Sequence, residues 1–267
     1  MLTVSNSEGQ DRKTQWVNVI EPPSLFYLSL SKKYQIGPMT VEPADIVRYN
    51  KIADTWTMVY DGSAHGTNTN IGSFAWDDND LLLVFSGNQT IPGLGKATQY
   101  DVVRFTPDNP GAFPLGPGTF SWEFQGKTNG LSTGSEKIDA LDQFWGERYF
   151  STTGTASLPI TPVLKPADED LFIWYSWGEW YSGLMLDGST IPGMAAEDIN
   201  GVWYDDWTGD YYVAILGKFN LGGVAGDDAS IVRINWNGSS YIPSLVDWLA
   251  PGAPVFKGKI DGLEMSR

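Results

Sequence analysis

A set of four strand-like segments that recurs four times constrains the fold of this chain more than any other feature. The first type of segment is an apolar run that follows Asp45, Asp101, Asp170 or Ser230. Three further short segments follow each copy, and the third type reads Ile-Asp-Ala-Leu at residues 138–141. Self-similarity at a spacing of about 60 residues, built from strands alone, is typical of the blades of a β-propeller.

The fourth copy of the repeat is divided between the two ends of the chain. Its third segment lies at residues 259–265 and its fourth at residues 25–31. A blade completed by both ends closes the ring, so that no blade edge is left unpaired. We therefore predict an all-β fold: a single closed β-propeller of four blades over residues 25–267. Residues 1–24 form an N-terminal extension or extra strand, and whether residues 16–20 add an inner strand stays open.

The order of segments predicts which turns share a face of the ring. We expect the Ile-Asp-Ala-Leu type to be the innermost strand of each blade. The outermost strands are predicted at residues 55–60, 120–124, 181–186 and 245–249. Because successive strands run in opposite directions, turns from the first to the second strand and from the third to the outermost lie on one face.

Four of the 12 tryptophans fall in turns of that face. They are Trp145, Trp177, Trp207 and Trp236. A large apolar ring in a turn either folds back over a neighbouring blade as a cap or presents a binding surface for a sugar, peptide or protein. Both interpretations are open from the sequence, and these four residues are the candidate partner-binding set.

Equivalent positions of the inner strands carry polar side chains. Asp139, Asn200 and Asp261 share this position, with Gly72 as the fourth member. In a four-bladed ring these side chains would point into the axial channel. Carboxylate and amide oxygens suit Ca²⁺ or another hard cation, and a hydrogen-bonded polar plug is the alternative. No cofactor is otherwise required by the sequence.

Composition excludes several classes of function. The 267 residues carry a formal net charge of -15 and contain no cysteine. An acidic chain without a basic patch is a poor partner for nucleic acid or for an anionic membrane. The first residues lack the charged and apolar regions of a secretory signal, and no apolar run approaches the ~20 residues of a membrane span. We expect neither nucleic-acid binding nor membrane insertion.

The residues needed for most catalytic sites are missing. The one histidine, His65, lies in a loop of small polar residues, where we expect a solvated side chain. A catalytic triad, a zinc site and a phosphate-binding loop have no sequence support. Glu147, Glu179 and Asp206 share the face of the four tryptophans, so a carboxylate-based glycoside hydrolase remains an alternative.

The repeats resemble those of bacterial surface-type propellers, with an NHL-like blade layout. The shared pattern reads Asp-Ile-x-Arg-Phe, then Trp-x-x-Tyr-Phe-Asp-Gly-Ser, then Asp-Ile-Asp-Ala-Leu. It is matched here at residues 45–49, 56–63 and 138–141, while Ile173 and Ser230 depart from it. The resemblance implies an extracellular or surface context and supplies no catalytic residue.

We expect a non-catalytic binding or scaffold protein. The acidic, cysteine-free, Gly- and Trp-rich composition favours a subunit of an extracellular or virion assembly, such as a phage tail or capsid surface. The expected partners are other protein subunits or a glycan. A glycan-binding module that uses the tryptophan turns is the second hypothesis, and the glycoside hydrolase is the third.

Overall fold

A computed structural model describes residues 2–4, 13–15, 22–250 and 256–266. These residues form strands joined by turns and short 3-10 helices, and the described residues contain no α-helix. The 3-10 helices are Gly62–His65, Gly126–Asn129, Gly188–Thr190 and Met194–Ala196. Residues 16–20, the candidate extra strand, lie outside the described residues.

The strands form four antiparallel four-stranded blades. A separate hairpin of β1 (Leu2–Val4) and β2 (Lys13–Gln15) comes first. Blade I contains β3 (Leu25–Leu30), β6 (Ile46–Asn50) and β7 (Thr55–Tyr60), with the hairpin β4 (Tyr34–Ile36) and β5 (Met39–Val41) between β3 and β6. Blade II contains β8 (Ile71–Asp77), β9 (Asp80–Phe85), β12 (Asp101–Pro107) and β13 (Gly118–Gln125), with the hairpin β10 (Gln89–Ile91) and β11 (Gly95–Ala97).

The second half of the chain repeats this plan. Blade III contains β14 (Ile138–Phe144), β15 (Glu147–Thr152), β16 (Leu171–Trp174) and β17 (Trp180–Leu186). Blade IV contains β18 (Ile199–Asp205), β19 (Asp210–Ile215), β22 (Ile231–Trp236) and β23 (Tyr241–Leu245), with the hairpin β20 (Phe219–Leu221) and β21 (Val224–Gly226). The last strand is β24 (Ile260–Ser266).

Strand β24 closes the ring. It pairs antiparallel with β3, from Ile260 opposite Leu30 to Ser266 opposite Leu25, so the two ends of the chain together complete blade I. The innermost strands β24, β8, β14 and β18 contact one another in that cyclic order around the axis. The predicted four-bladed closed propeller is therefore confirmed.

Neighbouring blades are held together by apolar side chains from both faces of each sheet. The second strands are buried on both sides, as in residues 81–85 of β9. Between blades I and II, for example, Ile46, Phe74 and Phe105 pack into one fully buried cluster. Similar clusters fill the other three junctions, and burial of this surface provides the main driving force for closure.

The outermost strand of blade IV differs from the prediction of residues 245–249. Strand β23 pairs with β22 from Trp236 opposite Tyr241 to Val232 opposite Leu245. The Asn237 side chain accepts hydrogen bonds from the backbone of Ser239 and Ser240 and closes a tight turn that starts the strand early. Trp248, which resembles the strand tryptophans of other copies, is instead buried between blades IV and I.

A β-bulge occurs near the start of every inner strand. The register with the second strand shifts between Ile71 and Ser73 and at the three equivalent places. The residue omitted from the pairing is Gly72, Asp139, Asn200 or Asp261. Bulges redirect the side chain that they carry, and here they place the polar residues of the axis.

Candidate functional site

The four turn tryptophans are exposed. The exposed fractions are 88% for Trp145, 64% for Trp177, 77% for Trp207 and 50% for Trp236. None of the four is buried as a cap over a neighbouring blade. Together they define what we call the tryptophan face.

The tryptophan face belongs to two neighbouring blades. Trp145 and Trp177 lie in the two turns of blade III on this side of the ring. Trp207 lies in the first-to-second turn of blade IV, and Trp236 ends its third strand, β22. The exposed rings therefore concentrate on one half of the ring instead of being distributed around it.

Aromatic neighbours support three of the rings. Trp145 stacks on Phe144 with ring centroids 5.1 Å apart, and Trp177 stacks on Tyr175 at 4.1 Å. Trp236 packs against Tyr241 at 4.9 Å. These contacts order the rings while leaving large parts of them in water, so that the surface is preorganised for contact.

The backbone at Trp145 is strained. Its φ is +51°, and Gly146 follows with φ of +82°. Two consecutive residues with positive φ are the pattern of a type I′ hairpin turn, which favours Asn-Gly. A bulky residue in the left-handed region is an outlier that often accompanies function.

Acidic side chains flank the tryptophan face. Glu179 and Asp206 are exposed, and Glu147 is half-buried. The Glu179 carboxylate accepts a hydrogen bond from the Trp177 indole, with Nε1 3.3 Å from Oε2. Each acid lies in a different turn. The glycoside hydrolase hypothesis stays a prediction.

A pair of buried carboxyl groups at the axis was missed by sequence reasoning. Asp142 of β14 accepts a hydrogen bond from the backbone N–H of Tyr204 in blade IV, at 2.6 Å. Glu264 of β24 accepts one from Trp76 in blade II, at 3.3 Å. Each carboxyl thus joins two blades. A signal existed, since both residues occupy the fifth position of an inner strand.

Burial dominates the titration of this pair. It raises the pKa of Asp142 to about 7. Burial, and then the charge of Asp142, raises the pKa of Glu264 well above its usual range. The fold therefore favours the protonated form of the pair.

The three predicted axial residues take different roles. Asn200 donates through Nδ2 to the Ile260 carbonyl at 2.8 Å and to Asp261 Oδ1 at 3.1 Å. Asp261 also pairs with Lys259 Nζ at 3.0 Å and accepts from Asn70 Nδ2 at 2.7 Å. The side chains of Asn200 and Asp261 are therefore hydrogen-bonded to each other.

Asp139 instead lies against Asp198, a residue that sequence reasoning did not select. Burial and the neighbouring carboxyl raise the pKa of Asp139, and burial raises that of Asp198 to about 6. No group of three or more His, Cys, Asp or Glu side chains in the described residues has a metal-binding arrangement. The axial cation stays a prediction.

His65 is not a solvated loop residue, contrary to expectation. Its ring stacks on Tyr60 with centroids 4.6 Å apart, and Nε2 lies 3.2 Å from the Leu115 carbonyl. Burial lowers the pKa of His65. The sequence did not reveal this because Leu115 comes from a loop of the next blade.

Comparisons with known proteins add solved structures of low similarity. No family model matches the sequence, and neither does any curated protein. YjhT is similar at 11% identity over 75% of this chain and 52% of that chain, with a TM-score of 0.31. A structure of YCF48 bound to D1 peptide is similar at 9% identity over 94% of this chain and 62% of that chain, with a TM-score of 0.34.

The extracellular domain of BT4673 from B. thetaiotaomicron is similar at 11% identity over 97% of this chain and 34% of that chain, with a TM-score of 0.34. The chain thus spans between 34% and 62% of the length of YCF48 and this domain. The only helices in the described part of the chain are short 3-10 helices, and none could cross a membrane.

Proposed function

We propose that this propeller binds a protein partner through the tryptophan face, as a subunit of an extracellular or virion assembly. The observation that carries the proposal is the exposure of Trp145, Trp177, Trp207 and Trp236 on two adjacent blades. Tryptophan is enriched among the residues that dominate binding energy at protein interfaces. The function is binding, and no step of chemistry is assigned.

The energetic argument rests on the area of the rings. An aromatic side chain can bury roughly 150–250 Å², which at about 25 cal/mol per Å² corresponds to several kcal/mol before the entropic costs of association. Because the four tryptophans are 50–88% exposed, much of this apolar area is in contact with water in the isolated chain. A partner that covers the four rings would remove this area from water, and the burial would contribute to the free energy of binding.

The distribution of the rings favours a broad partner over a small ligand. Three of the rings come from separate turns and the fourth, Trp236, from the end of β22, whereas small-molecule sites are concave and gather their groups in one pocket. The flanking acids Glu147, Glu179 and Asp206 add negative charge around the apolar centre. We therefore expect a partner surface with apolar pockets and basic residues at its rim.

Competition for incorporation into the native assembly tests the proposal. Isotope-labelled wild-type chain and unlabelled variant are mixed in equal amounts, and the isotope ratio in the purified assembly is measured. Truncating an interface hot spot costs about 2 kcal/mol or more, which is about 30-fold in Kd. Trp145→Ser combined with Trp207→Ser should therefore be under-represented by about tenfold or more.

Ile52→Ser provides the matched control. Ile52 is 84% exposed in the third-to-outer turn of blade I, outside the tryptophan face. This variant should be incorporated as wild type is. Equal incorporation of the double tryptophan variant and wild type would refute the proposal.

A groove beside Trp236 supports glycan binding as a second candidate. Tyr241 and Met185 provide apolar walls, while Asp187 and Ser240 offer groups that can bind sugar hydroxyls. Oligosaccharide binding measured by calorimetry should be lost in Trp236→Ala and retained in Trp145→Ala. Absence of binding across a glycan panel would exclude this candidate and leave the protein-binding proposal intact.

A further inference from the structure

The axial end that carries the β-bulges contains an unusual set of oxygen atoms. Both carboxyl oxygens of Asp139 are buried, and no donor of the described residues other than its own backbone N–H reaches them. The same holds for Oδ1 of Asp198 and Oδ1 of Asn70. Asp139 as a whole is only 7% exposed. Buried polar atoms are normally hydrogen-bonded, so this set needs a specific explanation.

The bulge on the opposite inner strand, β24, carries a carboxylate that does have donors. Asp261 is contacted by Asn70 Nδ2, by Asn200 Nδ2 and by the Lys259 ammonium group, at 2.7, 3.1 and 3.0 Å. Asn70 therefore turns its amide nitrogen to Asp261, and its amide oxygen is left without a partner. Asp139, at the equivalent position of the next inner strand after β8, has no such set of donors among the described residues.

The carboxyl groups of Asp139 and Asp198 also lie against each other. Two carboxyl groups in contact require a proton or a cation between them, because two negative charges at this distance repel strongly in a buried site. One shared proton would satisfy one donor–acceptor pair of oxygens. A cation can be contacted by several oxygens at once.

The surrounding charge favours a cation. Asp168 adds a third negative charge that acts on both Asp139 and Asp198. Lys259 makes its ion pair with Asp261, and its positive charge also acts on Asp198. This end of the axis therefore carries more negative than positive charge.

From these observations we infer that the axial end between blades III and IV binds one hard divalent cation of the Ca²⁺ type, through the carboxylates of Asp139 and Asp198. The donors are all oxygen atoms, which Ca²⁺ prefers, and water completes the six to eight ligands that it takes. Two carboxylates balance the charge of one divalent ion. Softer metals are disfavoured because the set contains no nitrogen or sulfur.

This ligand set differs from the one predicted by sequence. Asn200 and Asp261 bind each other, and Lys259 neutralises Asp261, so these two side chains are structural. Asp198 replaces them, because it directly precedes the inner strand of blade IV and its carboxyl group lies against that of Asp139. The proposal does not depend on what the tryptophan face binds.

Thermal unfolding of metal-free protein tests the site. The full chain is stripped with a chelator, dialysed, and heated at pH 7 with CaCl₂, with MgCl₂, or with KCl at matched ionic strength. At a hundredfold excess over its Kd, a cation bound only by the native state should raise Tm by about 5–10 °C in a protein of this size. Calorimetric titration with CaCl₂ should give one ion per chain.

Two variants make the result specific. Asp139→Asn should abolish the calcium-dependent rise in Tm. Asp205→Asn is the control, since Asp205 is equally buried on β18 but accepts hydrogen bonds from Trp207 N and Thr208 Oγ1. It should lower Tm and keep the rise. If Asp139→Asn does not fold, the half-buried Asp198→Asn replaces it.

An unchanged Tm in both divalent salts would overturn the inference. So would a calcium-dependent rise that persists in Asp139→Asn or, failing that, in Asp198→Asn. A shared proton would then occupy the carboxyl pair, and stability in metal-free buffer would fall as the pH rises.

Discussion

At the scale of a single residue, Trp145 combines a strained backbone conformation with an exposed side chain. It occupies the left-handed region with φ of +51°, at a turn position that favours asparagine. Its ring is nevertheless 88% exposed, so the isolated chain gains little from it. A residue that strains its own turn without packing into the core is best explained by contact with another molecule.

Trp145→Asn should therefore stabilise the isolated protein. The new side chain, followed by Gly146, would give the Asn-Gly pair that a type I′ turn favours, and a gain of about 0.5–1 kcal/mol in the free energy of unfolding is expected. Urea denaturation measures this gain. The matched change Trp207→Asn, at a residue without positive φ, should give no gain, and a loss of stability in Trp145→Asn would contradict the strain argument.

At the scale of the element, one aspartate link recurs in three blades. Asp45, Asp101 and Asp170 begin or precede the third strands, and each accepts a backbone hydrogen bond from the preceding loop. Asp101 accepts a second one there, from the Thr98 hydroxyl at 2.7 Å. Each of the three aspartates also accepts one from the glycine that follows the outermost strand, at 3.0 Å. The repeated aspartate of the sequence is thus structural.

Asp101→Ala should destabilise the protein strongly. The change removes three hydrogen bonds to a carboxylate and leaves the buried Gly126 N–H without a partner, which together cost about 3 kcal/mol. Ser230→Ala in blade IV is the comparison. The Ser230 hydroxyl accepts one exposed hydrogen bond from Asp227 N, at 3.1 Å, and donates one to the Asp227 carboxylate, at 3.2 Å. Because both bonds are exposed to water, their loss should cost about 1 kcal/mol or less.

Chemical denaturation of the two variants measures both costs. A loss in Asp101→Ala no larger than that in Ser230→Ala would show that the link contributes little.

The repeat made most elements predictable from sequence. Inner strands were found because Ile followed by Asp, Asn or Gly recurs at their start, and strand boundaries follow from four aligned copies. The outermost strand of blade IV was misplaced because Trp248 resembles a strand tryptophan, whereas the turn at Asn237 decides where β23 begins. In blade IV the hydrogen bonds of the Asn237 turn, and not the alignment with the other copies, determine where the outermost strand begins.

Side-chain partners were less predictable than strands. The turn positions of the four tryptophans follow from the repeat, but their exposure depends on how neighbouring turns pack. Asp198 was missed because the bulge, which sets the direction of Asp139, is a feature of strand pairing. Contacts between blades join residues far apart in the sequence, and no single repeat copy contains them.

At the scale of the whole molecule, the four blades meet at an axis that contains carboxyl groups. Asp142 links blades III and IV, and Glu264 links blades I and II. Burial raises the pKa of both. The closure of the ring is thereby coupled to protonation.

The coupling predicts that stability declines with rising pH. The folded-state pKa of Asp142 is about 7, against 3.8 for an ordinary aspartate, so its contribution is complete below about pH 4 and is lost as the pH approaches 7. The loss is on the order of 4 kcal/mol.

Asp142→Asn should flatten this dependence. The difference in the free energy of unfolding between pH 5 and pH 8, measured by urea denaturation, should be smaller in the variant than in wild type. Parallel pH profiles would contradict the assignment.

The central claim is that the tryptophan face is covered by a partner in the native assembly. Hydroxyl-radical footprinting of the free chain and of the assembly measures this directly, with buried Trp248 and exposed Ile52 as internal references. The account predicts that Trp145, Trp177 and Trp207 are oxidised rapidly in the free chain and are strongly protected in the assembly, while Ile52 reacts equally in both. Equal oxidation of the three tryptophans in the two states would contradict it.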